Sequence, residues 1–214
     1  MQRYQNRTQA GKILAEALKV YARQKTVLVL ALPRGGVPVA YEVAQALQVP
    51  LDLLIVRKLG VPQHVELAMG AIAPQDTQFL NHEMIRAYHL TKEMLQTVIA
   101  KEREELKRRE RVYRGGRPFP VIEDKTVILI DDGIATGATM TAAIQALRTL
   151  KAEKIIVAVP VADQSIVEQF TRLADEFICP LQPLQLNAVG CWYEDFAQTE
   201  DEEVRRLLSC CKNY

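Results

Sequence analysis

The chain has 214 residues, 49% hydrophobic and 25% charged, with 27 Lys and Arg against 26 Asp and Glu. A net charge of +1 supplies no broad attraction for nucleic acid or a membrane surface, so neither is expected as a partner. The length suits a single domain, residues 1–214, with a full core.

The start, Met1-Gln2-Arg3-Tyr4-Gln5-Asn6-Arg7, has no apolar run of the kind a signal peptide needs, and no segment reaches transmembrane length. Asn6-Arg7-Thr8 matches a glycosylation sequon that is read as incidental. The cysteines Cys179, Cys191, Cys210 and Cys211 contain no Cys-x-x-Cys pair, and His64, His82 and His89 lie far from them. Reduced thiols and a cytoplasmic location are the expectation.

Val27–Leu32 is the first short apolar run and reads as a buried strand. It delivers Pro33-Arg34-Gly35-Gly36-Val37-Pro38, in which a cation and unobstructed backbone N–H groups could meet a polyanion. The other reading is a glycine turn with Arg34 in solvent. Val37–Leu47 then has helical periodicity. Leu51–Val56 is the second strand, ending in Arg57-Lys58-Leu59-Gly60. His64 and Glu66 follow, where Glu66 could order a loop, act on an acceptor, or simply lie on the surface.

Residues 81–113 break the alternation with one long helical pattern. Met94, Leu95, Val98, Ile99 and Leu106 form a thin apolar stripe, and the stretch 101–111 mixes both charge signs. Two readings stand: a solvated helix held by i,i+4 ion pairs, or a flap whose basic end swings over the site. Gly115-Gly116 and Pro118 mark the return to the core.

Val127-Ile-Leu-Ile-Asp-Asp-Gly-Ile-Ala-Thr-Gly-Ala-Thr-Met140 is the most informative stretch. A buried strand ends in two carboxylates, Asp131 and Asp132, and a loop of small residues runs straight into a helix over Ala138–Leu150. Loop N–H groups and a helix N-terminus suit a phosphate. Paired acids suit sugar hydroxyls or a hydrated divalent cation. No Gly-Lys-Ser/Thr follows the spaced glycines, which sets aside a Walker-type loop.

Lys154–Val159 is the fourth strand, and Asp163 reads as the N-cap of a helix over Ser165–Leu173. Residues 187–196 then hold the single tryptophan, Trp192, beside Tyr193 and Phe196. These rings could face a planar acceptor, or anchor a last helix, Asp201–Leu208, to the core. Strands alternating with helices imply an α/β fold, a mainly parallel twisted sheet with helices on both faces. In such sheets ligands bind beyond the carboxyl ends of the strands.

The stretch 127–140 resembles the phosphoribosyl pyrophosphate (PRPP) signature of the type I phosphoribosyltransferases. The resemblance implies that fold, with a helical insertion at about 81–113 and a small C-terminal hood at about 180–214. Asp131 and Asp132 would hold the ribose hydroxyls and, with water and substrate, Mg2+. Gly133, Ile134, Ala135, Thr136, Gly137, Ala138 and Thr139 would wrap the 5-phosphate. Arg34, Gly35, Gly36, Arg57 and Lys58 would meet the pyrophosphate, with Arg34, Lys58 and the two acids carrying the catalysis. Trp192, Tyr193 and Glu66 are the candidates for the acceptor.

The implied reaction transfers phosphoribosyl from PRPP to a nucleobase or other nitrogen acceptor, in a homodimer. Some members carry a non-proline cis peptide in the first loop, here at Leu32–Gly35. Purine-salvage members place an acid where this chain has Ala135, so the acceptor and its base stay open. The alternative is a regulator that binds PRPP without transferring it; the cations Arg34, Arg57 and Lys58 favour the enzyme.

Overall fold

Strands buried on both faces need apolar side chains at every position, not at alternate ones, and three runs of this chain meet that demand. Val27–Ala31 forms β1, Thr126–Ile130 forms β6 and Lys154–Ala158 forms β7. The computed structural model describes residues 3–211, apart from the side chains of Val65 and Glu66. With β2 (Leu51–Leu53) and β8 (Glu176–Ile178), these strands make a five-stranded sheet in the order β2-β1-β6-β7-β8. Every pairing in it is parallel.

Alternation across the sheet sorts the core into two layers. Val27, Val29, Ala31, Ile128 and Ile130 point to one side. There they meet Val39, Val43 and Leu47 of α2 (Gly36–Leu47), Leu14 of α1 (Arg7–Ala17) and Leu207 of α7 (Asp201–Cys210). Leu28, Leu30, Val127 and Leu129 point to the other side, onto Ile144 and Leu147 of α5 (Ala138–Thr149) and Phe170 of α6 (Gln164–Leu173). A third cluster joins Tyr4 and Ala10 to Val161, Leu186, Trp192 and Tyr193.

Two expectations need correction. The run 51–56 pairs only over Leu51–Leu53, and Arg57–Val61 is not a loop but strand β3 of a separate antiparallel sheet. That sheet runs β3-β4-β5, with β4 at His64–Ile72 and β5 at Gln78–Leu80. Residues 81–113 form two helices rather than one. α3 (His82–Ala87) and α4 (Lys92–Arg114) are each started by an N-cap, Asn81 and Thr91, whose side chain accepts backbone N–H groups. The break falls where His89 takes a φ of 48°.

α4 is tied down at its C-terminal end. The Arg114 side chain, 2% exposed, donates to Asp52 at 2.9 Å, to Glu110 at 2.5 Å and to the Leu53 carbonyl. Tyr113 donates its hydroxyl to Asp201 at 2.7 Å. Between these anchors and the start of the helix, Glu105 takes hydrogen bonds from both Arg108 and Arg109, which lower its carboxyl to about 2. All four cysteines are free. Among the described residues no helix is long and apolar enough to cross a membrane.

Candidate active site at the sheet switch point

The strand order fixes where a ligand can sit. β1 is followed by α2, which crosses to β2 on one face, whereas its neighbour β6 is followed by α5, which crosses to β7 on the other. The two connections part at the strands' carboxyl ends and open a crevice between them. The loop after β1 carries Arg34-Gly35-Gly36 and the loop after β6 carries Asp131 to Thr139. Topology therefore brings together two motifs that are far apart in sequence.

The contact between them is tight. A Cβ on Gly35 would lie 1.9 Å from Asp132 Oδ2, and one on Gly36 would lie 2.8 Å from the Asp131 Cα and the Ile130 carbonyl. Both glycines are required by close approach rather than by a turn. The Pro33–Arg34 peptide bond is cis, inside the window in which such a bond is expected.

Both loops feed helices whose first N–H groups lack a side-chain cap. α1, α4 and α6 begin with Asn6, Thr91 and Asp163, each accepting a backbone N–H. The N-caps of α2 and α5 are Gly35 and Gly137, which cannot do so. At the start of α2, Gly36 and Val37 donate to the Leu32 and Arg34 carbonyls and Pro38 has no N–H, so the open N-terminal amides that suit an anion are those of α5. In the loop after β6, Ala135, Thr136, Ala138 and Thr139 are exposed, so the cradle is open.

Two loop members play another part. Ile134 is buried and donates its N–H to the Val161 carbonyl at 2.9 Å, pinning the loop base to the chain beyond β7. Gly137, at φ 76°, lets the loop turn where a Cβ would lie 2.6 Å from the Phe170 ring. Val189 fills the space a side chain at Gly133 would need, 2.6 Å from that Cβ.

The acid pair is held by partners that local sequence does not announce. Arg7 donates from Nε to Asp132 Oδ2 at 2.8 Å, with side chains 11% and 14% exposed. A second guanidinium N–H reaches the Ala197 carbonyl at 2.7 Å, and the Phe196 ring lies 3.8 Å beneath the Arg7 Cζ. Tyr193 donates its hydroxyl to the Asp132 carbonyl at 2.6 Å, and Asp132 donates its N–H to Asp131 Oδ1 at 2.8 Å. An arginine in the first turn of a helix carries no signal for a carboxylate 125 positions away, so only the fold reveals it.

Burial lifts the Asp131 carboxyl well above the usual carboxylate range, and the Asp132 charge adds to the lift. Asp132 is also raised by burial, against the pull of Arg7. Two adjacent half-buried acids with one guanidinium on Asp132 would be eased by a further cation or by hydroxyl donors. The pair matches what a hydrated divalent cation bridging to a polyhydroxyl ligand would supply. Among the described residues no group of three or more His, Cys, Asp or Glu side chains could hold a metal alone.

The candidate cations have acidic neighbours. Arg34 lies 3.6 Å from Asp201 and 3.8 Å from Glu200, at the start of α7. Arg57 is paired with Glu102 of α4 at 2.6 Å. Arg57 and Lys58 are the first residues of β3 and line a cavity of about 460 Å3 with Lys101 and Glu102. The candidate acceptor residues fare differently. Trp192 is buried and donates its indole N–H to the Leu186 carbonyl at 3.0 Å, and Tyr193 is 3% exposed. Both act as anchors of the C-terminal segment, and their rings offer no open face. The Glu66 side chain lies outside the described residues.

Residues 2–169 match the phosphoribosyl transferase domain family. The chain belongs to this family. A Mycobacterium tuberculosis protein named as a candidate phosphoribosyl transferase is 45% identical over 208 residues, covering 97% of this chain and 47% of its own length. The chain thus spans about half the length of the curated relatives it matches. The crystal structure of TT1426 from Thermus thermophilus has a TM-score of 0.87 at 37% identity, with 98% of this chain and 99% of that one covered. A hypoxanthine phosphoribosyltransferase from Staphylococcus aureus, at 12% identity and a TM-score of 0.50 over 92% of this chain and 88% of its own, shares the fold.

Proposed function

We propose that this phosphoribosyltransferase domain transfers the phosphoribosyl group of PRPP to a nitrogen acceptor and releases pyrophosphate. The observation that carries the reading is the junction at the switch point. The open amides at the start of α5, a half-buried acid pair and the Gly35-Gly36 turn beside Arg34 meet at one crevice. PRPP presents the complementary set: a 5-phosphate, two ribose hydroxyls and a pyrophosphate.

In this reading the backbone of Ala135 to Thr139, with the Thr136 and Thr139 hydroxyls, binds the 5-phosphate. Asp131 and Asp132 accept from the ribose hydroxyls and hold Mg2+ through water and substrate. Mg2+ would neutralise charge developing on the leaving pyrophosphate. Arg34, Arg57 and Lys58 stabilise the same group. The acceptor nitrogen lone pair bonds to C1 while the C1–O bond to pyrophosphate breaks, and pyrophosphate leaves with that electron pair. The two acids beside the sugar favour its passing positive charge. Homodimer formation and a cytoplasmic setting belong to the same proposal.

The test measures pyrophosphate released from PRPP and Mg2+ with a panel of nucleobases and other nitrogen heterocycles. PRPP affinity is measured in parallel by calorimetry. Turnover with at least one acceptor, lost in Asp131→Asn/Asp132→Asn, supports transfer. Tight PRPP binding with no turnover on any acceptor would instead identify a PRPP-binding regulator. Failure to bind PRPP would overturn both.

A further inference from the structure

The two arginines assigned to the pyrophosphate are held in different ways. Arg57 meets Glu102 at 2.6 Å, a full charge-assisted hydrogen bond. Arg34 stops 3.6 Å from Asp201 Oδ1 and 3.8 Å from Glu200, beyond hydrogen-bond reach of either. Asp201 Oδ1 has another claimant. Tyr113 donates its hydroxyl to that same oxygen at 2.7 Å, so one of the lone pairs that Arg34 could use is already taken.

The hydroxyl is fixed in place. Tyr113 is 6% exposed and belongs to the core layer that holds Leu106 of α4 with Val204 and Leu207 of α7. Burial, helped by the bond to Asp201, pushes the hydroxyl up to about 12, so it stays a donor at neutral pH. Arg108 also feels the Asp201 charge, but its Nε and Nη2 are both bound to Glu105. Glu200 is a poorer partner for Arg34, because its side chain is 64% exposed and screened by solvent. On the other side, a Cβ at Gly35 would lie 1.9 Å from Asp132 Oδ2, so the backbone next to Arg34 is wedged against the acid pair. Exchange between α7 and the crevice therefore falls to the Arg34 side chain, which is 35% exposed.

We infer that Asp201, restrained by Tyr113, is a positioning residue for Arg34. It holds the guanidinium loosely enough for a pyrophosphate group to take it, and recovers it when pyrophosphate leaves. The inference rests on the PRPP reading above. Asp201 acts through Arg34 and touches no substrate. Two consequences of opposite sign follow. Removing the Asp201 charge removes a competitor, so the pyrophosphate end of PRPP is held more tightly. Removing the Tyr113 hydroxyl returns a lone pair to Asp201, which then draws Arg34 closer and weakens that hold.

The test uses the whole chain with Mg2+ and measures PRPP and ribose 5-phosphate affinity by calorimetry. Ribose 5-phosphate lacks the pyrophosphate and is the ligand that should not respond. Asp201→Asn keeps an acceptor for Tyr113 without the charge. It should bind PRPP about threefold more tightly, the size of a partly exposed ion pair. Tyr113→Phe should bind PRPP more weakly, and both variants should bind ribose 5-phosphate as the unaltered chain does. In an Arg34→Gln background, Asp201→Asn should change nothing, a result that a general effect on the fold would not give. An unshifted Asp201→Asn, shifts of the same sign in the two variants, an Asp201→Asn effect that survives without Arg34, or ribose 5-phosphate affinity moving in step with PRPP would overturn the inference. So would PRPP affinity that Arg34→Gln leaves intact. Absence of PRPP binding by the unaltered chain would overturn the underlying reading and this inference with it.

Discussion

Arg7→Gln is the sharpest probe of how the site is held. The Arg7 guanidinium contributes an ion-paired hydrogen bond to Asp132 at 2.8 Å, a second bond to the Ala197 carbonyl at 2.7 Å, and a face on Phe196 at 3.8 Å. Removing one partner of a fully buried pair costs about 3–5 kcal/mol. Here the side chains retain 11% and 14% exposure, and Asp132 can relieve its own loss by taking a proton. A charge-assisted hydrogen bond, about 2 kcal/mol, is therefore the better guide. That lowers the melting temperature by about 4–8 °C for a domain of this size.

The same loss appears in PRPP binding with a particular pH dependence. Asp132 is already raised by burial and is pulled down by Arg7. Without Arg7 its carboxyl rises further. More of the acid pair is then protonated at a given pH, and a protonated carboxyl accepts ribose hydroxyls poorly. PRPP affinity should fall about tenfold relative to the unaltered chain and recover as the pH is raised. Arg7→Lys, which keeps the charge, should recover most of the affinity. Calorimetric titrations at several pH values, each as a ratio to the unaltered chain, read this directly. A loss equal at all pH values, or Lys no better than Gln, would refute Arg7 as the group that sets Asp132.

Asp131→Asn should stabilise the fold at pH 7 while weakening PRPP binding. A carboxyl raised in the folded state favours folding below its unfolded pKa and costs stability as pH climbs through the raised value. Thermal melts should show the gain at pH 7 and its disappearance near pH 4; a lower melting temperature at both would contradict it. Gly137→Ala forces a Cβ to φ 76° and to 2.6 Å from Phe170, so chemical denaturation should show a loss of about 2 kcal/mol or more. Trp192→Phe strands the Leu186 carbonyl and should cost about 1–3 kcal/mol with no change in acceptor KM; a raised KM would return the hood to the acceptor site.

The parts of the fold legible in the sequence are those whose residues answer to a single local demand. β1, β6 and β7 are buried on both faces, so their apolar runs are unbroken, and the acid pair with its small-residue loop is contiguous. What escaped depends on distant partners. In β3, Arg57-Lys58-Leu59-Gly60-Val61 pairs across register shifts at Gly60, so no clean alternation marks it. β8 is a three-residue strand of half-buried side chains beside β7. α1 packs its small residues so closely on α2 that a Cβ on Gly11 would meet the Val39 carbonyl at 2.7 Å, and that closeness is invisible as hydrophobicity. Trp192 and Tyr193 form an aromatic pair that reads equally as ligand wall or as core. Only the indole bond to Leu186 and the hydroxyl bond to Asp132 decide between them.

The pairing of the cations bears on which anions the proposed site would accept. Arg34 lies within 3.8 Å of Glu200 and within 3.6 Å of Asp201, and Arg57 is held by Glu102. An incoming anion must exchange with these carboxylates rather than occupy bare charge. A weakly charged ion gains little from that exchange, because each guanidinium gives up one carboxylate to gain another partner of similar charge. Pyrophosphate carries several charges on one compact group, so its gain at either guanidinium would exceed what the displaced carboxylate loses. Glu102 belongs to α4, which Arg114 and Tyr113 fasten to β2 and α7. In the proposed site, an anion reaching Arg57 would therefore have to compete with a carboxylate held on an anchored helix.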